Sequence, residues 1–365
     1  MDRPVWSWNE WDPLEEVIVG RVEGAIVPAW DEIDYAAHSV EDHEELFAQQ
    51  GKPLPNAAVE AAQKELDNFV HILEAEGVTV RRPDRVHYQS LRYATPDWKW
   101  DRGGFNGSNP RDVLLVVGDQ VIEVPSIRKN RYYEVNAYRT LLKEYSRKGG
   151  RWISAPKPLL TSETFVQNYA RPKATDSLLM KDASQMRYPH TEAEPVFEAA
   201  DFMKCGQDIF YHRSFVTNQA GVDWLQRHLG DGFHFHEIET LCRRPIHIDT
   251  TFVPLAPGKA LANPDFAPKL PAVLKKWDIL YAPTPVPSPN KSPFQFGSDW
   301  LAMNVFSLDA ERVLVDSLQE ELIKKLRDWG LRPIPLPYQN YYAFGGGLHC
   351  STLDIRRRGE LQSYF

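Results

Sequence analysis

Val113-Leu114-Leu115-Val116-Val117-Gly118-Asp119-Gln120-Val121-Ile122-Glu123-Val124 contains two short apolar runs, Val113–Val117 and Val121–Val124, each the length of a strand. Downstream, Tyr132–Lys148 spaces its apolar residues three and four apart, as a helix does. Strand-like runs recur at Glu16–Gly20, Val78–Val80, Pro245–Phe252, Ala260–Ala262, Met303–Ser307, Val313–Asp316 and Arg332–Leu336. Helical spacing recurs at Ala57–Ala75, Val222–Leu229, Pro271–Lys276 and Leu318–Trp329. The chain is therefore expected to be α/β throughout. A dinucleotide-binding sheet is disfavoured, because Val19-Gly20-Arg21-Val22-Glu23-Gly24 lacks the GxGxxG turn that seats a pyrophosphate. No low-complexity linker divides the sequence, and the Pro-rich stretch Ala282–Pro293 reads as an ordered surface loop, so residues 1–365 are expected to form one domain.

The 365 residues are 42% hydrophobic and 25% charged, a globular composition, and the 28 prolines argue for many short elements. No apolar run approaches the roughly 18 to 20 residues of a membrane span. The N-terminal stretch, with its acids and tryptophans, matches neither a secretory nor a transit signal, so a cytoplasmic location is the expectation. The net charge of −8 argues against a nucleic-acid partner. Three widely spaced cysteines, Cys205, Cys242 and Cys350, fit neither a disulfide framework nor a zinc site.

Chemistry concentrates in a few segments. In Phe344-Gly345-Gly346-Gly347-Leu348-His349-Cys350, three glycines permit the close backbone approach that presents a thiol at a cavity rim; the bland alternative is a packed cysteine after a turn. If Arg244-Pro245-Ile246-His247-Ile248-Asp249-Thr250 is a strand, alternation puts His247 and Asp249 on one face, as an acid–base pair or as a structural ion pair. In Phe197-Glu198-Ala199-Ala200-Asp201, the two acids could cap a helix or serve a cationic site. Asp112 stands where a loop meets a strand, a common place for a functional acid and for a plain turn acid. His234 and His236 would share a strand face, but no HExxH or cysteine pair supplies further ligands nearby, so a metal is not expected there. Arg356-Arg357-Arg358 reads as structural, on a solvated face or in internal ion pairs.

Taken together, the HID triplet, the EAAD acids and GGGxHC resemble the amidinotransferases, and the resemblance runs from Trp8-Asn9-Glu10-Trp11-Asp12-Pro13-Leu14 to Arg356-Arg357-Arg358-Gly359-Glu360-Leu361-Gln362-Ser363-Tyr364. It implies the pentein fold, a five-bladed α/β propeller of ββαβ-type units around a central channel. It also implies Cys350 as nucleophile, His247 as general acid/base and Glu198 as the partner of that histidine, with Asp112, Asp249 and Ser298 contacting substrate. Small-molecule partners follow, a guanidine donor and a primary amine acceptor, and the resemblance implies that no cofactor is needed. The family's frequent dimers make a homodimer the expectation by resemblance.

Some positions depart from the glycine-type members of that family. Glu198 replaces their aspartate, with Asp201 as a rival for the role, although the deiminase relatives carry glutamate there. Phe266 replaces the arginine that binds the donor carboxylate, leaving Arg243 and Arg244 as candidate substitutes. Ile246 replaces a methionine beside the catalytic histidine, so glycine is not assumed as the acceptor. Two other readings are a guanidine hydrolase of the same superfamily, in which water resolves the intermediate, and a guanidine-binding protein that has lost its chemistry.

Overall fold

The computed structural model describes residues 3–289 and 298–365; positions 290–293 of the Pro-rich stretch lie outside them. From the N-terminus, β1 (Leu14–Val19) precedes α1 (Glu32–Ala37), α2 (Glu44–Ala48), α3 (Asn56–Ala75) and β2 (Thr79–Arg81). A hairpin of β3 (Tyr93–Ala94) and β4 (Lys99–Trp100) and the single turn α4 (Pro110–Val113) lead into β5 (Leu114–Val117), β6 (Gln120–Glu123), α5 (Arg139–Arg147) and β7 (Arg151–Ser154). Next come β8 (Phe202–Cys205), β9 (Asp208–Tyr211), α6 (Gln219–Leu229) and β10 (His234–Glu237), then β11 (Phe252–Ala256), β12 (Lys259–Ala262) and β13 (Asp278–Tyr281). β14 (Phe306–Ser307), β15 (Arg312–Asp316), α7 (Glu320–Asp328), β16 (Arg332–Leu336) and β17 (Thr352–Arg357) complete the chain.

Among the described residues, five three-stranded sheets repeat one pattern: an antiparallel pair, then a third strand parallel to the second. In four of them the antiparallel strands are consecutive and closed by a tight turn. Gly118, at φ 61°, makes the β5–β6 turn, and a Cβ there would sit 2.2 Å from the Trp8 ring. The parallel partner must be reached by a crossover, supplied by α5, α6 and α7 in three sheets and by the 3-10 turn Ala272–Lys276 in a fourth. In the fifth sheet the chain's two ends meet: β17 pairs antiparallel with β1, and β2 lies parallel to β1 across α3.

The paired strands β5, β6, β8 and β9 are buried along their whole length, while the third strands β7, β10 and β13 are half-exposed. Between the sheets lies a buried ionic network rather than a purely apolar centre. Arg111 contacts Glu10 and Asp354, Arg357 bonds Asp354 at 2.7 Å, and Lys204 donates to Ser7 at 2.8 Å. Buried charges persist only when paired in this way. Arg357 thus turns inward, whereas Arg356 and Arg358 pair with Glu15 near the surface. No helix among the described residues is long and apolar enough to cross a membrane.

Three expectations about elements are corrected. Pro245–Phe252 is not a strand: Ile248–Thr250 forms a 3-10 turn and β11 begins at Phe252. Tyr132–Lys148 is an α-helix only over Arg139–Arg147, preceded by the 3-10 turn Glu134–Tyr138. Met303–Ser307 contributes only Phe306–Ser307 to a sheet, because Asp299–Met303 is another 3-10 turn. In each case chain near the cavity described below takes a tight turn where its apolar residues alone suggested regular structure.

Candidate active site

The loop after the 3-10 turn Gln339–Phe344 reverses through Gly345 in the left-handed region, at φ 81°. Gly346 and Gly347 then pass so close to their neighbours that a Cβ would lie 2.6 Å from Cys350 Cβ or 2.7 Å from Asn304 Cβ. Only glycine lets the backbone approach this closely. Cys350, just before β17, is 1% exposed. Asn304 grips it twice, donating from Nδ2 to Sγ at 3.1 Å and accepting the Cys350 amide at Oδ1 at 3.0 Å. The thiol donates to Asp249 Oδ2 at 3.1 Å. Burial, and then the Asp249 and Asp112 carboxylates, push the Cys350 thiol well above its ordinary value.

His247 and Asp249 do face the same cavity, but not by strand alternation. His247 has φ 65° and ψ 135°, a left-handed conformation rare for a side chain larger than glycine, and the 3-10 turn that follows brings Asp249 round to Cys350. Such backbone strain typically costs about 1–3 kcal/mol and collects at functional sites. His247 Nε2 lies 2.8 Å from Glu198 Oε2, and its Nδ1 lies 3.7 Å from Asp112 Oδ1. Burial alone would lower the imidazole's pKa; Asp112 and Glu198 outweigh it and raise the pKa to about 9. His247 is therefore protonated at neutral pH.

Glu198 is fully buried beneath His247 and accepts from Ser126 Oγ at 3.0 Å and from Arg128 at 3.1 and 2.8 Å. Burial opposes its ionisation, but Arg128 and Arg131 hold its carboxyl well below the usual carboxylate range. Its rival Asp201 takes a different place: its Oδ2 accepts from Ser214 and Thr217 and its Oδ1 lies 2.6 Å from His212 Nε2, so it reaches His247 by charge rather than by a hydrogen bond. Asp112, on the turn α4, accepts from Arg131 at 2.6 Å through Oδ2. Asp249 is held below the ordinary carboxylate value, at about 2, where hydrogen bonding and charge from His349 together with His247 overcome burial. The far nitrogen of His349 lies 3.4 Å from Glu10, which ties this group to the buried ionic network.

A cavity of about 690 Å³ opens onto Cys350, His247, Asp112, Asp249 and Ser298, with Glu198 behind the imidazole. Asp112 Oδ1 and Asp249 Oδ1 are buried without a hydrogen-bond partner. Two unmet carboxylate acceptors, an imidazolium and a thiol together suit a planar cation presented for attack at its central carbon. One atom each of Asp112, His247 and Cys350 could also ligate a metal, since all three lie within 4.8 Å of one another, but the ion would have to displace the His247 proton. His236 instead bonds Asp208 at 2.7 Å, and His234 is exposed. Cys205 and Cys242 are buried away from Cys350's partners, although Cys242 lines the cavity. Asn304, His349, Arg128 and Arg131 were not singled out by the sequence reading; His349 nonetheless sits inside the GGGxHC motif that the resemblance uses.

No protein-family model matches the chain. It is 44% identical over 361 residues to the L-arginine:L-lysine amidinotransferase of Pseudomonas savastanoi pv. phaseolicola, covering 99% of this chain and 96% of that protein. Among solved structures, it matches SxtG, an amidinotransferase from Microseira wollei in the saxitoxin biosynthetic pathway. That match has 48% identity and a TM-score of 0.91, covering 99% and 100% of the two chains. The inosamine-phosphate amidinotransferase of Streptomyces griseus follows at 36% identity and a TM-score of 0.86, with 99% of each chain covered. A dimethylarginine dimethylaminohydrolase, at 16% identity and a TM-score of 0.56, shares the fold alone. With identity of this level over nearly the whole chain, the chain is an enzyme of the amidinotransferase family.

Proposed function

We propose that the enzyme moves an amidino group from L-arginine or a related guanidine to a primary amine through an S-amidino-Cys350 intermediate, as one catalytic domain whose five sheets are the blades of a propeller. The observation that carries the reading is the pair of unmet carboxylate oxygens, Asp112 Oδ1 and Asp249 Oδ1, beside Cys350 and His247. A guanidinium seated against them satisfies both, and its positive charge offsets the carboxylate field that, after burial, keeps the thiol protonated. As the donor seats, the thiol proton passes through Asp249, 3.1 Å away, to solvent, leaving Asp249 ionised, and the thiolate attacks the guanidinium carbon; the thiol regains a proton when the guanidine product departs.

His247, already protonated, gives its proton to the departing nitrogen as the C–N bond breaks. The amine product then leaves an S-amidino thioether and a neutral imidazole. An acceptor amine attacks the amidino carbon and loses its proton to His247, and the C–S bond breaks to restore the thiolate. The donor product departs before the acceptor reacts, so the cycle is ping-pong and requires no cofactor. Asn304 Nδ2, at 3.1 Å, holds the sulfur charge in both half-reactions. Ser298, at the cavity wall, contacts substrate in this reading.

The relatives' names suggest amino-acid or natural-product amines as acceptors. The test is product formation from arginine with and without a panel of amines. Transfer predicts one ornithine per enzyme in the absence of an amine and sustained turnover when a suitable amine is present. Steady release of citrulline or urea without an amine contradicts it and marks a hydrolase.

A further inference from the structure

Asp201 and His212 stand at the open end of the β8–β9 hairpin. Phe202 pairs with Tyr211, so one step outward Asp201 faces His212, whose amide donates to the Asp201 carbonyl at 3.3 Å. Opposed residues of an antiparallel pair share one side of the sheet, and His212 Nε2 lies 2.6 Å from Asp201 Oδ1. The other carboxylate oxygen accepts from Ser214 Oγ at 2.6 Å and from Thr217 Oγ1, which fixes the carboxylate against the ring. His212 is 1% exposed and lines the cavity that holds Cys350 and His247. Its Nδ1 is buried with no hydrogen-bond partner among the described residues. No step of the transfer at Cys350 and His247 uses this pair.

The protons of the reacting amine give the pair a task. An alkylammonium, with an ordinary pKa near 10, carries three N–H bonds, and the guanidinium nitrogen that it becomes keeps one. Two protons leave the acceptor as its C–N bond forms, and neutral His247 takes only one of them. In the donor half-reaction the leaving nitrogen starts with one N–H and needs two protons to depart as an ammonium, of which His247 supplies one. A carrier for the second proton is empty in one half-reaction and loaded in the other, which suits an imidazole. His38 also lines the cavity, but burial and the charges of His43, Arg128 and Arg244 push it down to about 3, and His43 Nδ1 lies 2.9 Å from the Ser39 carbonyl. His212 is instead oriented by a carboxylate, as Glu198 orients His247. We propose that His212, held by Asp201, is the second proton carrier of the cycle, taking one proton from the acceptor ammonium as its nitrogen attacks and returning it to the departing donor amine. This rests on the amidino-transfer reading. His247 moves the other proton, the C–N and C–S bonds exchange at the amidino carbon, and both amines enter and leave as ammonium ions.

The test follows discharge of the S-amidino enzyme. Wild type and His212→Gln are loaded with arginine, freed of it, mixed near pH 8 with L-ornithine or with hydroxylamine, and quenched for intact-protein mass spectrometry. Ornithine, the amine that arginine itself releases, is an acceptor by reversal of the first half-reaction, and it arrives as an ammonium. Hydroxylamine is neutral at that pH, brings two N–H bonds and loses only the proton that His247 takes. His212→Gln should discharge to ornithine about 100-fold more slowly than wild type, the lower end of what a positioned base contributes, and to hydroxylamine within about twofold of wild type. His212→Asn, the second variant, should show the same selectivity. Equal loss with both amines, or wild-type rates with both, overturns the assignment. A wild type that takes no amidino group from arginine removes the transfer reading and the carrier with it, whereas an adduct that wild type and variants discharge alike removes the carrier alone.

Discussion

Glu198→Gln separates a charge effect from a structural one. The side chain keeps its shape and an acceptor oxygen 2.8 Å from His247 Nε2, but loses the negative charge that helps hold the imidazolium. Between an ordinary 6.5 and about 9, His247 gains roughly 3 kcal/mol in favour of its protonated form, at about 1.4 kcal/mol per pH unit. Asp112, at 3.7 Å, supplies part of that and remains in the variant. A single opposite charge at this range typically moves a pKa by about 1–3 units, and Arg128 and Arg131 are left without Glu198's charge, which opposes protonation further. The sign follows from the mechanism. Donor cleavage needs protonated His247, so once the bound donor has drawn the thiol into its ionised form the rate falls as pH rises through the imidazole pKa. The alkaline limb of donor kcat/KM should lie near 9 in the wild type and about one to two pH units lower in Glu198→Gln. At pH 8.5 a displacement of one to two units lowers the protonated fraction by about 3- to 25-fold, while near pH 6 both proteins have His247 largely protonated. The assay is the pH profile of single-turnover amine release, with a direct titration of the His247 ring by NMR. An unchanged limb, or a loss of rate equal at every pH, refutes the argument.

Asp112→Asn and Asp249→Asn should each lower donor kcat/KM by at least about tenfold, because each removes a charged acceptor for the guanidinium; unchanged kinetics in both would locate the guanidinium elsewhere. Gly347→Ala places a methyl group 2.7 Å from Asn304 Cβ, so the double grip of Asn304 on Cys350 must shift; the variant should lose about 1–3 kcal/mol of stability and form adduct more slowly, as followed by thermal melting and mass spectrometry. Arg111→Met leaves Glu10 and Asp354 buried without their shared cation and should cost about 3–5 kcal/mol in chemical denaturation; a loss below 1 kcal/mol would show that Lys204 and Arg357 suffice.

Much of the architecture was legible where burial and periodicity coincide. The apolar runs at Val113–Val117 and Val313–Asp316 fall on β5 and β15, and Ala57–Ala75 falls on α3. β8 and β9 escaped notice although they are fully buried, because Lys204 and Asp208 interrupt their apolar pattern; Lys204 is compensated by Ser7 and Glu10, far away in sequence. The outer strands β7, β10 and β13 are half-exposed and mixed in composition, so no clear alternation marks them. At the site, the residues that the family motifs single out converge on one cavity. How they do so was not legible: a histidine at positive φ carries no signature in residue type, and the shared orientation of His247 and Asp249 comes from a turn rather than from a strand. Nor could two acids three residues apart be told apart until Ser214 and Thr217 were seen to occupy Asp201. Arg128 and Arg131 were missed because an arginine between a turn and a helix resembles any solvated one until its carboxylate partners are known.

The central claim is the covalent step at Cys350, and intact-protein mass spectrometry tests it directly. Wild type and Cys350→Ser are incubated with arginine alone, then with a panel of other guanidines. The account predicts an amidino-sized mass gain on the wild type only, located at Cys350 by peptide mapping and discharged when an acceptor amine is added. An equal gain on both proteins, or donor turnover at the wild-type rate by Cys350→Ser, contradicts it.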